Sequence, residues 1–287
     1  MTVLVVGGTG RIGQSAVQNL NDKKIQTKVL SRSEEKINSL PGGTNGVLGD
    51  LEKPDSLSDA FSGIKKLLLI TANGETETER GINAVSAAKA ANVDKIVFIS
   101  VKLSEEAMKV PHYASKIPIE KAIKDSGINY TILRPDFFYQ NDILLEKPIT
   151  LAGLYTMPIG NIGQNRIDTR DVADAAVRSI IGDDFNGQDI PLYGPKSWTA
   201  DEIAETYSNK LDRKVRYAGD DLEAWAESSK AFMPPWLISA LKAGFAKMQA
   251  MGSVATEEQI KISENTVGHQ LRTFEDFVTE VTKNWKK

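Results

Sequence analysis

The chain has 287 residues, 41% hydrophobic and 25% charged, with 35 basic against 38 acidic residues and a net charge of −3. It has no cysteine and only two histidines, His112 and His269, so disulfides, thiolate nucleophiles and cysteine-ligated clusters are excluded and no metal site is expected. The interspersed charges offer no basic face to nucleic acid, no apolar run approaches the ~20 residues of a membrane span, and no basic leader precedes the first apolar run, so a soluble cytoplasmic protein is expected.

In chain order, short apolar runs alternate with helix-period stretches through the first half. Strands are predicted at 2–6, 26–30, 46–48, 66–71, 95–100 and 129–134, and helices near 11–21, 33–39, 55–62, 78–91 and 114–126. This alternation predicts an α/β fold of the Rossmann type, a doubly wound parallel sheet with helices on both faces. Asp55 and Ser56 are candidate caps of the third helix, with Gly63 at its end. After residue 135 the alternation lapses and glycines and prolines scatter through 146–165; a helix at 170–181 and a strand at 189–193 resume it. From 197 onward the chain reads as mainly helical, with Ser197 or Thr199 as a cap, an amphipathic region near 235–250 and a last helix near 273–285. The expected organisation is a dinucleotide-binding domain at 1–135, resuming at about 166–194, and a smaller lobe built from 136–165 and 195–287, with a cleft between them.

The stretch "VLVVGGTGRIGQSAVQNL" carries the most specific local signal. Gly8, Gly10 and Gly13 satisfy the dinucleotide fingerprint, and Gly7, Gly10 and Gly13 its short-chain dehydrogenase variant. The turn follows a strand and opens a helix, the context in which these glycines let the backbone approach a pyrophosphate. A glycine-rich hairpin would need a second strand where "QSAVQNL" stands. Thr9, Arg11 and Ile12 belong to the same turn. After the second strand stand Ser31, Arg32 and Ser33 rather than the acidic residue that holds a 2′-hydroxyl, so NADP(H) is preferred over NAD(H), with Arg32 on the 2′-phosphate and Arg11 in reach of it. A solvated loop is the plain alternative for Arg32. Asp50 and Leu51 after the third strand, and Thr71, Ala72 and Asn73 after the fourth, fall at strand carboxyl ends where the rest of the nucleotide lies; Asp50 equally suits a turn cap.

Taken together, "VVGGTGRIG", "LSRS", "LGDLEKPDSLSDAFSGI", "KIVFIS", "HYASKIPIEKAIKDSGINYTILRPDFFYQN" and "DTRDVADAA" resemble the NmrA-like group of atypical short-chain dehydrogenases/reductases, in the family's order and over most of the chain. The resemblance implies a cofactor-binding Rossmann domain with a substrate lobe, in a group that holds NADP-dependent quinone and dye reductases as well as regulators that bind the dinucleotide without turning it over. It also implies that Lys116 is the lysine kept near the nicotinamide ribose, where it would raise the local positive potential. Ser100 stands where the usual catalytic serine does. The Tyr-x-x-x-Lys register is absent: His112 is four residues before Lys116 and Tyr113 three, and at about 100° per residue Tyr113 does not occupy the usual tyrosine's place. His112 reads equally as a proton donor or as local structure at a helix cap, Tyr113 as a donor or as packing, and Lys116 as a site lysine or as solvated surface.

The missing register favours acceptors that need little acid help, namely quinones or conjugated dyes, over simple ketones. Pro135 and Phe137 after the sixth strand suit the cofactor, and Phe138, Tyr139 and Asn141, with Gln140, suit a flat acceptor. Trp198, Trp225, Phe232 and Trp236 are expected mostly in the lobe core, with "FMPPWL" as a lid turn. The resulting expectation is an NADPH-dependent oxidoreductase acting on a small-molecule acceptor. A dinucleotide-sensing regulator is the alternative, a nucleotide-sugar epimerase is disfavoured, and a homodimer or a regulatory protein partner stays open.

Overall fold

The computed structural model describes residues 1–102 and 111–285. The chain runs β1 (Thr2–Val6), α1 (Arg11–Asp22), β2 (Gln26–Ser31), α2 (Glu34–Asn38), β3 (Thr44–Leu48), α3 (Ser58–Phe61), β4 (Lys66–Leu69), α4 (Glu77–Ala90) and β5 (Lys95–Ile99). It continues with α5 (Pro111–Ala114), α6 (Lys116–Asp125), β6 (Asn129–Pro135), β7 (Phe137–Phe138), β8 (Leu154–Tyr155), β9 (Gln164–Ile167), α7 (Thr169–Ile181) and β10 (Gln188–Leu192). The last part holds β11 (Ser197–Trp198), α8 (Ala200–Leu211), β12 (Arg216–Tyr217), α9 (Leu222–Ser229), α10 (Pro235–Met251), α11 (Glu257–Val267) and α12 (Phe274–Trp285).

Seven parallel strands form one sheet in the order β10-β6-β5-β4-β1-β2-β3. The central strands β1, β4 and β5 read as nearly unbroken apolar runs because both faces are covered, whereas β3 at the sheet edge has no buried residue. In β1, Val3 and Val5 face a core shared with α1 and α7, while Leu4 and Val6 face one shared with α3, α4 and α6. The chain winds outward from β1 to β3 and then crosses to β4 on β1's other side. A crevice therefore opens at the carboxyl ends of β1 and β4, the place where such sheets bind ligands.

A third core, around Tyr139, Tyr155, Trp198, Tyr207, Phe245 and Phe274, draws its residues from the two stretches expected to form the smaller lobe. Thr199 caps α8 in a reciprocal capping box with Glu202. Several expectations are corrected. Residues 55–62 divide into a 3₁₀ turn at Pro54–Ser56 and the short α3, and Ser56 Oγ bonds the Asp50 and Lys53 carbonyls instead of capping a helix. The helix expected from 114 starts at Lys116, after α5. The segment carrying α11 and Leu271, read as part of the small lobe, packs Ile260, Val267 and Leu271 into the sheet-domain core beside α7. Helices α9 and α11 fall within the stretch read as mainly helical but were not placed individually.

Candidate functional site

Two hollows lie along the crevice. The first, of about 330 Å³, is lined by residues that follow β1, β2, β3 and β4, among them Gly7, Thr9, Arg32, Ser33, Asp50, Leu51, Thr71 and Ala72. Its floor is the glycine turn. Gly7 has φ +78°, and a Cβ there would meet Ile70 O at 2.4 Å; a Cβ on Gly13 would meet Gly7 O at 2.2 Å, so α1 seats against the turn only because no side chain intervenes. Helix α1 opens at Gly10 with no capping side chain, leaving its first N–H groups for a ligand. Ser33 Oγ accepts from Lys36 N as the cap of α2, and Asp50 Oδ1 accepts from Glu52 N in a turn while the residue also lines the hollow. Arg32 and Lys36 project beside it. Gly8 packs on Val29, and Gly10 N donates to Gly7 O.

The second hollow shares Ile70 and Thr71 with the first and runs toward the small lobe. Its walls include Ile12, Asn73, Ser100, Tyr113, Lys116, Pro135, Phe137, Phe138 and Asn141, closed over by Leu241, Phe245 and Met248 of α10. Most of this surface is apolar or aromatic, with a few polar groups converging on it. Lys116 is buried: its Nζ donates to Glu77 Oε1 at 2.5 Å and to Thr71 Oγ1 at 3.1 Å. Ser100 Oγ donates to Glu120 Oε1 at 2.6 Å, and Glu120 is held in turn by Arg134. Burial, with Asp136 adding, pushes the Tyr113 phenol up to about 12.

Several of the sequence expectations point elsewhere. Arg11 does not line the hollow with Arg32; its Nη1 donates to Gln140 O, 3.1 Å away, at the edge of the small lobe. Tyr139 is fully buried between Phe274 and Phe277, and so is lobe core rather than acceptor wall. His112 falls inside α5 rather than at a cap, and its side chain lies outside the described residues. None of Trp198, Trp225, Phe232 and Trp236 lines the second hollow. Trp198 and Trp225 pack in the lobe, while "FMPPWL" leads into α10.

Several contributors were not anticipated. Glu77, fully buried, lies in the charged run "ETETER", where nothing in the pattern marks one glutamate as buried. Asp136 lies within the aromatic stretch that did attract attention. Its Oδ1 accepts from Phe137 N and Gln164 Nε2, and its Oδ2 from Ser253 Oγ, with Lys102 Nζ 3.5 Å away. Burial raises the Asp136 carboxyl against the opposing pull of Lys102 and Ser253. Lys36 and Arg80 join the first hollow. Asp171, Asp174 and His269 cluster elsewhere, but the Arg272 guanidinium already sits on both aspartates.

The family model described as the NmrA-like family matches residues 1–278. The chain belongs to the NmrA-like family. It is 29% identical to the NAD(P)H azoreductase of Xenophilus azovorans over 243 residues, covering 83% of this chain and 84% of that protein. Its fold matches an NADPH-dependent quinone oxidoreductase from Escherichia coli complexed with NADPH, with TM-score 0.87, 24% identity and coverage of 98% and 99%. It also matches NmrA, a negative transcriptional regulator, in complex with NADP, with TM-score 0.81, 18% identity and coverage of 100% and 99%. Among the described residues no helix is long and apolar enough to cross a membrane.

Proposed function

We propose that this NmrA-like protein is an NADPH-dependent oxidoreductase that reduces a quinone-like or similarly conjugated small molecule. The observation that carries the reading is the junction at Thr71: a polar hollow over the glycine turn opens directly into an aromatic-walled one, so a dinucleotide in the first has its reactive end beside whatever occupies the second. The residues fit the cofactor. The cradle at Gly7 and Gly13 would be filled by any Cβ, α1 offers uncapped N–H groups to a pyrophosphate, and Arg32 supplies a planar cation to a 2′-phosphate. When bound, the nicotinamide supplies hydride; the protein's part is to orient, to exclude water and to hold the proton-bearing groups.

On the acceptor side, Phe137 and Phe138 offer flat apolar surface and Asn141 a polar handle. Tyr113 keeps its proton throughout the neutral range, which makes it a hydrogen-bond donor rather than a base. The names of the azoreductase and of the quinone oxidoreductase support this class of acceptor. The likeness to a transcriptional regulator supports a second reading, in which the dinucleotide is sensed and not consumed. An acceptor panel of quinones, azo dyes and triphenylmethane dyes, followed by loss of NADPH absorbance, separates the two. Turnover with at least one acceptor is expected. Tight NADPH binding with no oxidation by any of them would favour the sensor.

A further inference from the structure

Helix α6 presents Lys116 and, one turn later, Glu120 to the interior, and each is met by an opposite charge from a different element. Lys116 meets Glu77 of α4. Neither side chain is more than 5% exposed, and the Glu77 carboxylate is fully satisfied: Oε1 accepts from Lys116 Nζ and from Thr71 Oγ1 at 2.6 Å, and Oε2 from Ser115 Oγ at 2.7 Å. An ammonium has three N–H groups. Glu77 takes one and Thr71 a second. No third oxygen acceptor meets Nζ among the described residues, the Phe98 ring lies 5.7 Å from it, and Lys116 lines the second hollow. The other charged or titratable groups facing that hollow are Lys102, Tyr113 and Asp136.

From this geometry we infer that Glu77 is the positioning residue of the site: its buried carboxylate fixes the Lys116 ammonium, ties it through Thr71 to the end of β4, and leaves one N–H for a hydroxyl of the ligand at the junction of the two hollows. The assignment rests on the proposed function in taking that hydroxyl to be a ribose hydroxyl of the nicotinamide nucleotide. It changes the role expected of Lys116. With a carboxylate in contact the pair carries little net field, so the lysine works as an oriented donor and not as a source of positive potential. The chain's order supports this role, since Thr71, which bridges both hollows, accepts from Lys116 while donating to Glu77.

A double-mutant cycle with Glu77→Gln and Lys116→Met tests it by NADPH calorimetry and by thermal midpoint. Glu77→Gln alone should weaken NADPH binding by roughly 10- to 100-fold, the span of one charge-assisted hydrogen bond. In the Lys116→Met background the same change should alter affinity by less than about twofold. Each single variant should lower the midpoint, because a buried charge loses its partner, and the double variant should regain much of the loss. If a single variant does not fold, Glu77→Asp keeps the charge one methylene shorter and is expected to bind NADPH between wild type and Glu77→Gln-like affinity, with Lys116→Met removing the difference. Equal effects of the Glu77 change in both backgrounds would overturn the assignment while leaving the proposed function standing. A wild-type protein that binds no NADPH would overturn both.

Discussion

Arg32 and Lys36 line one hollow beside the end of β2, four residues apart, and neither cation makes a hydrogen bond or an ion pair among the described residues. Two cations left without partners beside the hollow over the glycine turn suit the phosphate that distinguishes NADPH from NADH. Arg32→Glu should cut NADPH affinity by roughly 10- to 100-fold, the worth of a charge-assisted bond, while NADH affinity holds or rises. Calorimetry with both cofactors reads the ratio. An unchanged ratio would take Arg32 out of cofactor discrimination.

The seat of α1 gives a second test. A Cβ at residue 13 would stand 2.2 Å from Gly7 O and 2.6 Å from Gly8 Cα, both backbone atoms that have nowhere to go. Gly13→Ala should therefore cost about 1–3 kcal/mol in stability, as overpacking does, and lose most NADPH binding because the turn must shift. Gly10→Ala is the control for packing alone. Its Cβ would meet only Gly7 O, at 3.4 Å, so urea unfolding should show little loss of stability, while calorimetry should still show weaker NADPH binding because Gly10 belongs to the turn proposed to hold the pyrophosphate. Equal losses of stability in the two variants would argue against close helix–turn packing as the cause.

How much of this was legible in the sequence follows from what each residue answers to. The central strands of the sheet read correctly because burial on both faces leaves a nearly unbroken apolar run in β1, β4 and β5, and the glycine turn stands out because its backbone requirements fall within seven residues. Thr199 was one of two candidate caps, and its partner Glu202 sits at the capping-box spacing. By contrast, Glu77 and Glu79 look alike in "ETETER", and only the approach of α6 makes one of them a buried counter-ion. Tyr139 and Phe138 are neighbours of similar chemistry, yet the chain's turn sends one into the lobe core and the other to the hollow. Arg11 was placed by its motif, but its long side chain follows the nearest carbonyl, that of Gln140, contributed by a segment 129 residues away.

Tyr113 lines the acceptor hollow, and burial first, then Asp136, pushes its phenol up to about 12. An acid whose value is raised stays protonated below it, so Tyr113 contributes no pH limb to activity between about pH 6 and 9. Its protonated phenol lines the hollow into which the proposed function places a quinone oxygen. Tyr113→Phe should slow quinone reduction by about 10²-fold, at the low end of acid catalysis, while a cationic triphenylmethane dye, whose reduction gives a neutral product without a proton, changes by only a few-fold. Comparing kcat for the two acceptors decides. Equal losses on both would make Tyr113 a wall residue.

The ion pair of Arg166 and Asp142 lies under the acceptor hollow with both side chains wholly buried. Asp142 also accepts from Tyr207 and Tyr155, and the guanidinium stacks over Phe137, Tyr139 and Phe274. Removing one partner leaves the other charged in an apolar lobe, so Arg166→Met should cost about 3–5 kcal/mol, whereas Arg166→Met with Asp142→Leu should recover part of that loss. Urea unfolding measures both. The pair also anchors the 3₁₀ segment Tyr139–Leu145, which carries Asn141 and Leu144 to the hollow, whereas the first hollow takes no residue from it. At temperatures where Arg166→Met stays folded, the acceptor KM should therefore rise several-fold while NADPH affinity holds; a parallel loss of NADPH affinity would mean that the pair supports the whole crevice and not its acceptor end.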